Sequence, residues 1–170
     1  MPSGYWPMAT VREDIAAATW NLRPMAQADL AQVAALERES YVFPWNDQIF
    51  ADCLRVGYHC VVVDTGAGVS GYGVLSMGAG EAHVLNICIR EEFRRHGIGR
   101  GLLNALLVHA RDRGVRDAFL EVRRTNRGAI ALYHELGFEC VGTRRGYYQA
   151  QDGREDALVY RLELGALRDP

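Results

Sequence analysis

Arg94-Arg95-His96-Gly97-Ile98-Gly99-Arg100-Gly101 follows an apolar β-rich run, Ala82–Ile89, and opens onto a helical stripe of Leu102, Leu103, Leu106, Leu107 and Ala110. Its glycines allow the backbone to turn successive N–H groups inward and let a ligand approach the main chain closely. A helix start adds the partial positive charge of its unpaired amides. With arginines around it, such a bend suits a diphosphate. It is not a Walker loop, because no Gly-Lys-Ser/Thr follows. Nor is it the dinucleotide fingerprint, whose third glycine stands at a different offset. Taken alone, the stretch has a second reading: a glycine-rich turn with solvated arginines.

Beyond this stretch the same strand–bend–helix rhythm continues. After the helix, which ends near Gly114, Arg116–Val122 reads as a strand. Ala129, Leu132, Tyr133 and Leu136 form a helical stripe that stops at Gly137. Phe138–Arg144 and Ala157–Leu164 read as closing strands joined through a turn at Asp152-Gly153. Toward the N-terminus, Thr65-Gly66-Ala67-Gly68 links two β-rich runs, Tyr58–Asp64 and Val69–Met77. Before them, Pro44 breaks the chain and Asn46 or Asp47 is positioned to cap a helix through Leu54. Leu30, Val33 and Leu36, with Asp29 and Glu37 at the same spacing, form another helix, preceded by a strand over Thr19–Met25. The fold class expected is α/β with a mixed sheet and helices on both faces. Residues 1–19 read as a flexible extension and residues 20–165 as one domain.

Composition bounds the function. The chain has 170 residues, enough for one domain with its own core. Apolar residues make up 49% and charged ones 24%, a soluble globular profile. No apolar run reaches membrane length and no secretory signal is visible, so no membrane contact is expected. The net charge of −2 carries no nucleic-acid signature. Cys53, Cys60, Cys88 and Cys140 form no CxxC pair, and the five histidines share no ligand spacing. Neither a metal nor a disulfide framework is expected, and the cytoplasm is the expected compartment. All nineteen basic residues are arginine.

Arg94-x-x-Gly97-x-Gly99, preceded by Leu85-Asn86-Ile87-Cys88-Ile89, resembles the coenzyme A loop of the GNAT acetyltransferases. Leu120-Glu121-Val122-Arg123, Asn126, Ala129-Ile130-Ala131-Leu132-Tyr133 and Leu136-Gly137-Phe138 continue the pattern downstream. Phe43-Pro44-Trp45, Arg145-Gly146-Tyr147-Tyr148 and Asp152-Gly153-Arg154-Glu155-Asp156-Ala157 are similar to the branch that acetylates the N-terminal alanine of a small-subunit ribosomal protein. The resemblance spans about residues 20–164. It implies a splayed sheet, acetyl-CoA as cosubstrate, and direct transfer in a ternary complex without an acyl-enzyme. Backbone of Ile87, Cys88 and Ile89 would pair with the pantetheine arm. Arg94, Arg95, His96, Gly97, Ile98, Gly99 and Arg100 would wrap the diphosphate, and Asn126 would touch the cofactor near its reacting end. Glu121 would be the general base and Tyr133 the general acid. The implied partner is a ribosomal-protein N-terminus, and a monomer is expected.

The chemistry asks for such groups. An ammonium has no free lone pair, so a base must take its proton before attack on a thioester. A protein α-amine has a pKa of about 8, against about 10.4 for lysine, so its deprotonation costs roughly 3 kcal/mol less. A carboxylate acting through water suffices. Partial burial among Phe119, Leu120 and Val122 would make Glu121 a better proton acceptor; the alternative is a surface glutamate at a strand end. A phenol near the sulfur helps a thiolate leave. Tyr133 serves equally as a core residue on its apolar stripe, and both roles are compatible.

Cys88 reads as a small buried residue rather than a nucleophile. Tyr147 and Tyr148, expected on opposite faces of a strand, are peptide-contact candidates, as are Phe43 and Trp45. Asp152, Glu155 and Asp156 would attract a basic peptide or be a solvated turn. Arg124 and Arg127 stand where the family has small residues, able to reach phosphates or to repel a cationic peptide. Two other functions compete: transfer to broader N-termini or a small amine, and acyl-CoA binding without turnover. The pairing of Glu121 with Tyr133 weighs against the last.

Overall fold

The computed structural model describes residues 19–167. The expected N-terminal extension, residues 1–19, lies outside them except for its last residue. The described chain forms two compact units. One comprises residues 19–72 with Cys88–Leu102; the other comprises Gly73–Ile87 with residues 103–167.

The first unit contains β1 (Asn21–Pro24), α1 (Leu30–Ser40), α2 (Asp47–Arg55) and β2 (His59–Asp64). It also holds the start of β3 (Val69–Gly78), the end of β4 (Glu81–Ile89) and the first turn of α3 (Ile98–Arg111). β1 lies antiparallel to β2, from Asn21↔Asp64 to Pro24↔Val61. Arg23 ties this edge down: its guanidinium reaches Asp29 at 2.7 Å and Asp64 at 2.8 Å. It holds both carboxyls below their usual range, chiefly through these hydrogen bonds. α1 buries Val33, Ala34 and Leu36, as the spacing requires. α2 begins where Asn46 caps it, the side-chain oxygen accepting the Ile49 N–H at 3.0 Å.

The second unit contains the rest of β3, β4 and α3, then β5 (Asp117–Arg123), α4 (Arg127–Glu135), β6 (Glu139–Ala150) and β7 (Gly153–Glu163). Leu103, Leu106, Leu107 and Ala110 of α3 are wholly buried. β4 runs parallel to β5, while β7 pairs antiparallel with both β5 and β6. The strands hydrogen-bond in the order β1-β2-β3-β4-β5-β7-β6, a mixed α/β fold as expected. Among the described residues, no helix is long and apolar enough to cross a membrane.

The closing hairpin is longer than the sequence suggested. β6 runs on to Ala150 and β7 starts at Gly153, so the strands expected over Phe138–Arg144 and Ala157–Leu164 reach the turn and take in Tyr147-Tyr148 and Arg154-Glu155-Asp156. The β6–β7 register shifts between Arg144 and Tyr148, where Arg145, Gly146 and Tyr147 stand against Asp156 alone.

Candidate active site

In the first unit, the chain leaves β4 at Ile89 and makes one 3₁₀ turn, Glu91–Phe93, before the bend. Arg94 Nε donates to the Ile89 carbonyl at 2.8 Å, so this arginine fastens the bend to the strand end. Arg95 then adopts φ +64° and Gly97 φ +78°. A positive φ at arginine is strained, and strain of this kind gathers at ligand sites. Ile98, 1% exposed, anchors the far side, while Arg95, His96, Gly97 and Arg100 are exposed. The first backbone bond of α3 runs from Gly101 N–H to Gly97 O at 3.0 Å. Ile98 and Gly99 precede that bond, at the start of the helix where main-chain N–H groups point outward along its axis. Gly101 also makes room for the core, since a Cβ there would stand 3.0 Å from the buried Trp20 ring.

Cys88 is buried and its thiol donates to the Ser40 hydroxyl at 3.2 Å. Burial pushes this thiol up, so it is no thiolate nucleophile. Between α1 and α2, Phe43 is exposed, and the half-buried Trp45 ring lies 5.3 Å from Phe50.

In the second unit, the parallel pairing of β4 with β5 runs from Glu81↔Asp117 to Val84↔Leu120. Both strands continue beyond it, β4 to Ile89 and β5 to Arg123. Past that point β5 keeps its other neighbour, with Glu121↔Val159 and Arg123↔Ala157 on β7. Glu121 is thus the first residue of β5 beyond the split. Its side chain is 19% exposed, and Oε1 lies 3.3 Å from Nε of Arg144 on β6. That partner was not visible in the sequence, because strand register decides it.

Tyr133 is buried on α4, its ring 5.8 Å from Phe138 and 6.2 Å from Tyr160. Burial pushes its phenol up to about 12, so it keeps its proton throughout the neutral range. The Tyr148 phenol is pushed up first by burial, then by Tyr147, Glu121 and Tyr133, the Arg123 charge opposing Glu121's effect. The Arg123 guanidinium sits 4.4 Å from the Tyr148 ring centre.

Tyr147 and Tyr148 do not take opposite faces. Their rings meet edge to face, 4.9 Å between centroids. Gly146 at φ +58° lies in the register shift and turns the strand there. Asp156 and Arg154 clamp it: Asp156 accepts the Gly146 N–H at 2.9 Å, and Arg154 donates to the Gly146 and Tyr147 carbonyls. Glu155 accepts from the Thr125 backbone and hydroxyl and from Arg123, bonds that hold its carboxyl below the usual range. Glu155 and Asp156 are therefore spent on internal structure. Arg124 pairs with Asp156 at 3.7 Å. Asn126 caps α4, its oxygen accepting the Ala129 N–H at 3.2 Å, a structural role beside the one the resemblance implies. Among the described residues no cluster of three or more His, Cys, Asp or Glu side chains could hold a metal.

Residues 30–138 match the model of the Acetyltransferase (GNAT) family. The chain is 35% identical over 136 residues to the ribosomal protein bS18-alanine N-acetyltransferase of Escherichia coli K12, covering 80% of this chain and 92% of that protein. The crystal structure of the Escherichia coli ribosomal-protein-S18-alanine N-acetyltransferase superposes with TM-score 0.81 at 32% identity, over 86% of this chain and 94% of that one. Ard1 from Thermoplasma volcanium does so with TM-score 0.77 at 26% identity, over 85% and 97%. The matched span takes in the bend, the split strands and the carboxylate and phenol described above, and by that match the chain belongs to the GNAT family of acetyltransferases.

Proposed function

We propose that this chain moves the acetyl group of acetyl-CoA onto the N-terminal amine of a protein, alanine first, with a small-subunit ribosomal protein as substrate. The observation that carries the transfer reading is Glu121, a partly exposed carboxylate at the first position past the β4–β5 split. The likeness to bS18-alanine N-acetyltransferases supports the choice of substrate. Residues 20–165 act as one catalytic domain, as a monomer in the cytoplasm, with no metal and no nucleic-acid partner.

The diphosphate is held by the main-chain donors of the bend at residues 95–100, with Arg95 and Arg100 supplying charge. The backbone of Ile87 to Ile89 pairs with the pantetheine arm, and Asn126 contacts the cofactor. Phe43, Trp45, Tyr147 and Tyr148 receive the peptide. The substrate's ammonium gives a proton through water to Glu121. The freed lone pair attacks the thioester carbon, and the carbonyl electrons move to oxygen. When the carbonyl re-forms, the C–S bond breaks and Tyr133 protonates the departing sulfur. The second amine proton restores the phenol through solvent.

Tyr133→Phe is expected to slow kcat at least about tenfold while the melting temperature stays within a few degrees, because the ring packing is kept. A melting temperature that falls together with activity would assign this tyrosine to the core alone. Peptides incubated with acetyl-CoA and read by mass spectrometry test the function itself. Peptides beginning with Ala are expected to gain one acetyl group at the N-terminus and to outcompete free lysine and spermidine. Preference for spermidine would move the assignment to small amines.

A further inference from the structure

Glu37 lies on α1 and is 2% exposed. A carboxylate taken out of water is costly unless its oxygens find strong partners, and an apolar residue would fill the same space more cheaply. Its partners show what the carboxyl group is kept for. Oε1 accepts the backbone N–H of Trp45 at 2.9 Å. Oε2 accepts the hydroxyl of Tyr72 on β3, itself fully buried. The Tyr72 phenol is pushed well up, first by burial and then by Cys88 and Glu37, so it remains a donor. The Trp45 ring lies 5.3 Å from Phe50, which meets Tyr72 edge-on at 5.3 Å.

The segment thus held has no helix or strand of its own. It joins the end of α1 to Asn46, which caps α2. Within it, Val42 is 70% and Phe43 42% exposed. A short segment with apolar side chains turned to water keeps that shape only if its backbone is tied down. Glu37 supplies the tie from the buried side, and the Asn46 cap supplies it at the C-terminal end.

We propose that Glu37, backed by Tyr72, is a positioning residue that fixes the Phe43-Pro44-Trp45 segment in the shape that admits the first residues of the peptide. The proposal rests on the reading of this segment as the peptide-contacting one. It is separable from that reading, because the tie can be observed without substrate.

The test uses the full chain labelled with 5-fluorotryptophan, the Trp45 resonance being assigned by Trp45→Phe. In Glu37→Ala the Trp45 signal is expected to shift or broaden while Trp20 stays in place. The KM for an Ala-initiated peptide is expected to rise about tenfold or more, with kcat and the KM for acetyl-CoA changed less than about twofold. Glu37→Gln should recover most of the peptide KM, since its amide oxygen accepts the Trp45 N–H and its NH₂ reaches the Tyr72 oxygen. If Glu37→Ala does not fold, Tyr72→Phe decides, with the same Trp45 shift and a severalfold rise in peptide KM expected. An unmoved Trp45 signal in a folded variant, or parallel rises in both KM values, overturns the proposal. If the unmodified enzyme acetylates no peptide, the peptide reading fails while the fluorine spectra still decide the tie.

Discussion

Glu121→Gln is expected to lower kcat/KM for an Ala-initiated peptide by about a hundredfold at neutral pH, with coenzyme A affinity unchanged. The substitution keeps the side chain's size and its place beyond the β4–β5 split, and removes only its capacity to take a proton. It also removes the ion pair with Arg144, 3.3 Å away. Arg144→Gln separates the two effects. The Arg144 side chain is 57% exposed, so the loss of an exposed pair is expected to change turnover only severalfold. Raising the pH should partly restore Glu121→Gln, because solvent then deprotonates an α-amine whose pKa is about 8. Undiminished turnover in Glu121→Gln would remove this residue from the mechanism.

Gly71→Ala is expected to cost roughly 2 kcal/mol and to lower the melting temperature by roughly 4–8 °C. A Cβ at Gly71 would stand 2.7 Å from Cδ1 of Ile89, 2.8 Å from the carbonyl oxygen of Cys88 and 3.1 Å from Cγ2 of Val63. The isoleucine tip can swing aside. The Cys88 carbonyl is main chain, and moving it displaces the strand end whose backbone is proposed to pair with the pantetheine arm. Acetyl-CoA affinity should therefore fall along with stability. Thermal melting and calorimetric titration of the variant check both. An unchanged melting temperature with unchanged affinity would mean that β3 and β4 separate freely there.

Much of this architecture could be read from the chain because apolar spacing and stop signals agreed. Asn46 caps α2 two residues after Pro44, and the buried faces of α1 and α3 fall at the expected helical spacing. The β6–β7 hairpin was harder. Its residues 144–156 are mostly charged and polar, so no alternation of apolar residues marks the full length of the strands. Arg154 and Asp156 bond across the hairpin to Gly146 and Tyr147, and Glu155 binds Thr125 and Arg123, partners that only register brings together. The Tyr147–Tyr148 contact departs from expectation for the same reason, since a register shift at Gly146 cancels the simple rule of alternating faces.

The proposed site divides similarly. The bend announces itself through glycine spacing. The split after Val84 leaves no mark, because nothing between Ala82 and Ile89 breaks a strand. Glu37 was invisible as a buried anchor because glutamate on a helix is ordinarily solvated. Only the tertiary placement of Trp45 and Tyr72 reveals it.

Backbone amide NMR of the ¹⁵N-labelled chain during titration with acetyl-CoA asks most directly whether the main-chain donors of residues 95–100 hold the diphosphate. The largest shifts are expected at Gly97, Ile98 and Gly99, with 3′-dephospho-coenzyme A producing the same pattern there. Amides in this bend that stay still while the cofactor saturates the protein, or a cofactor that does not bind, would contradict it.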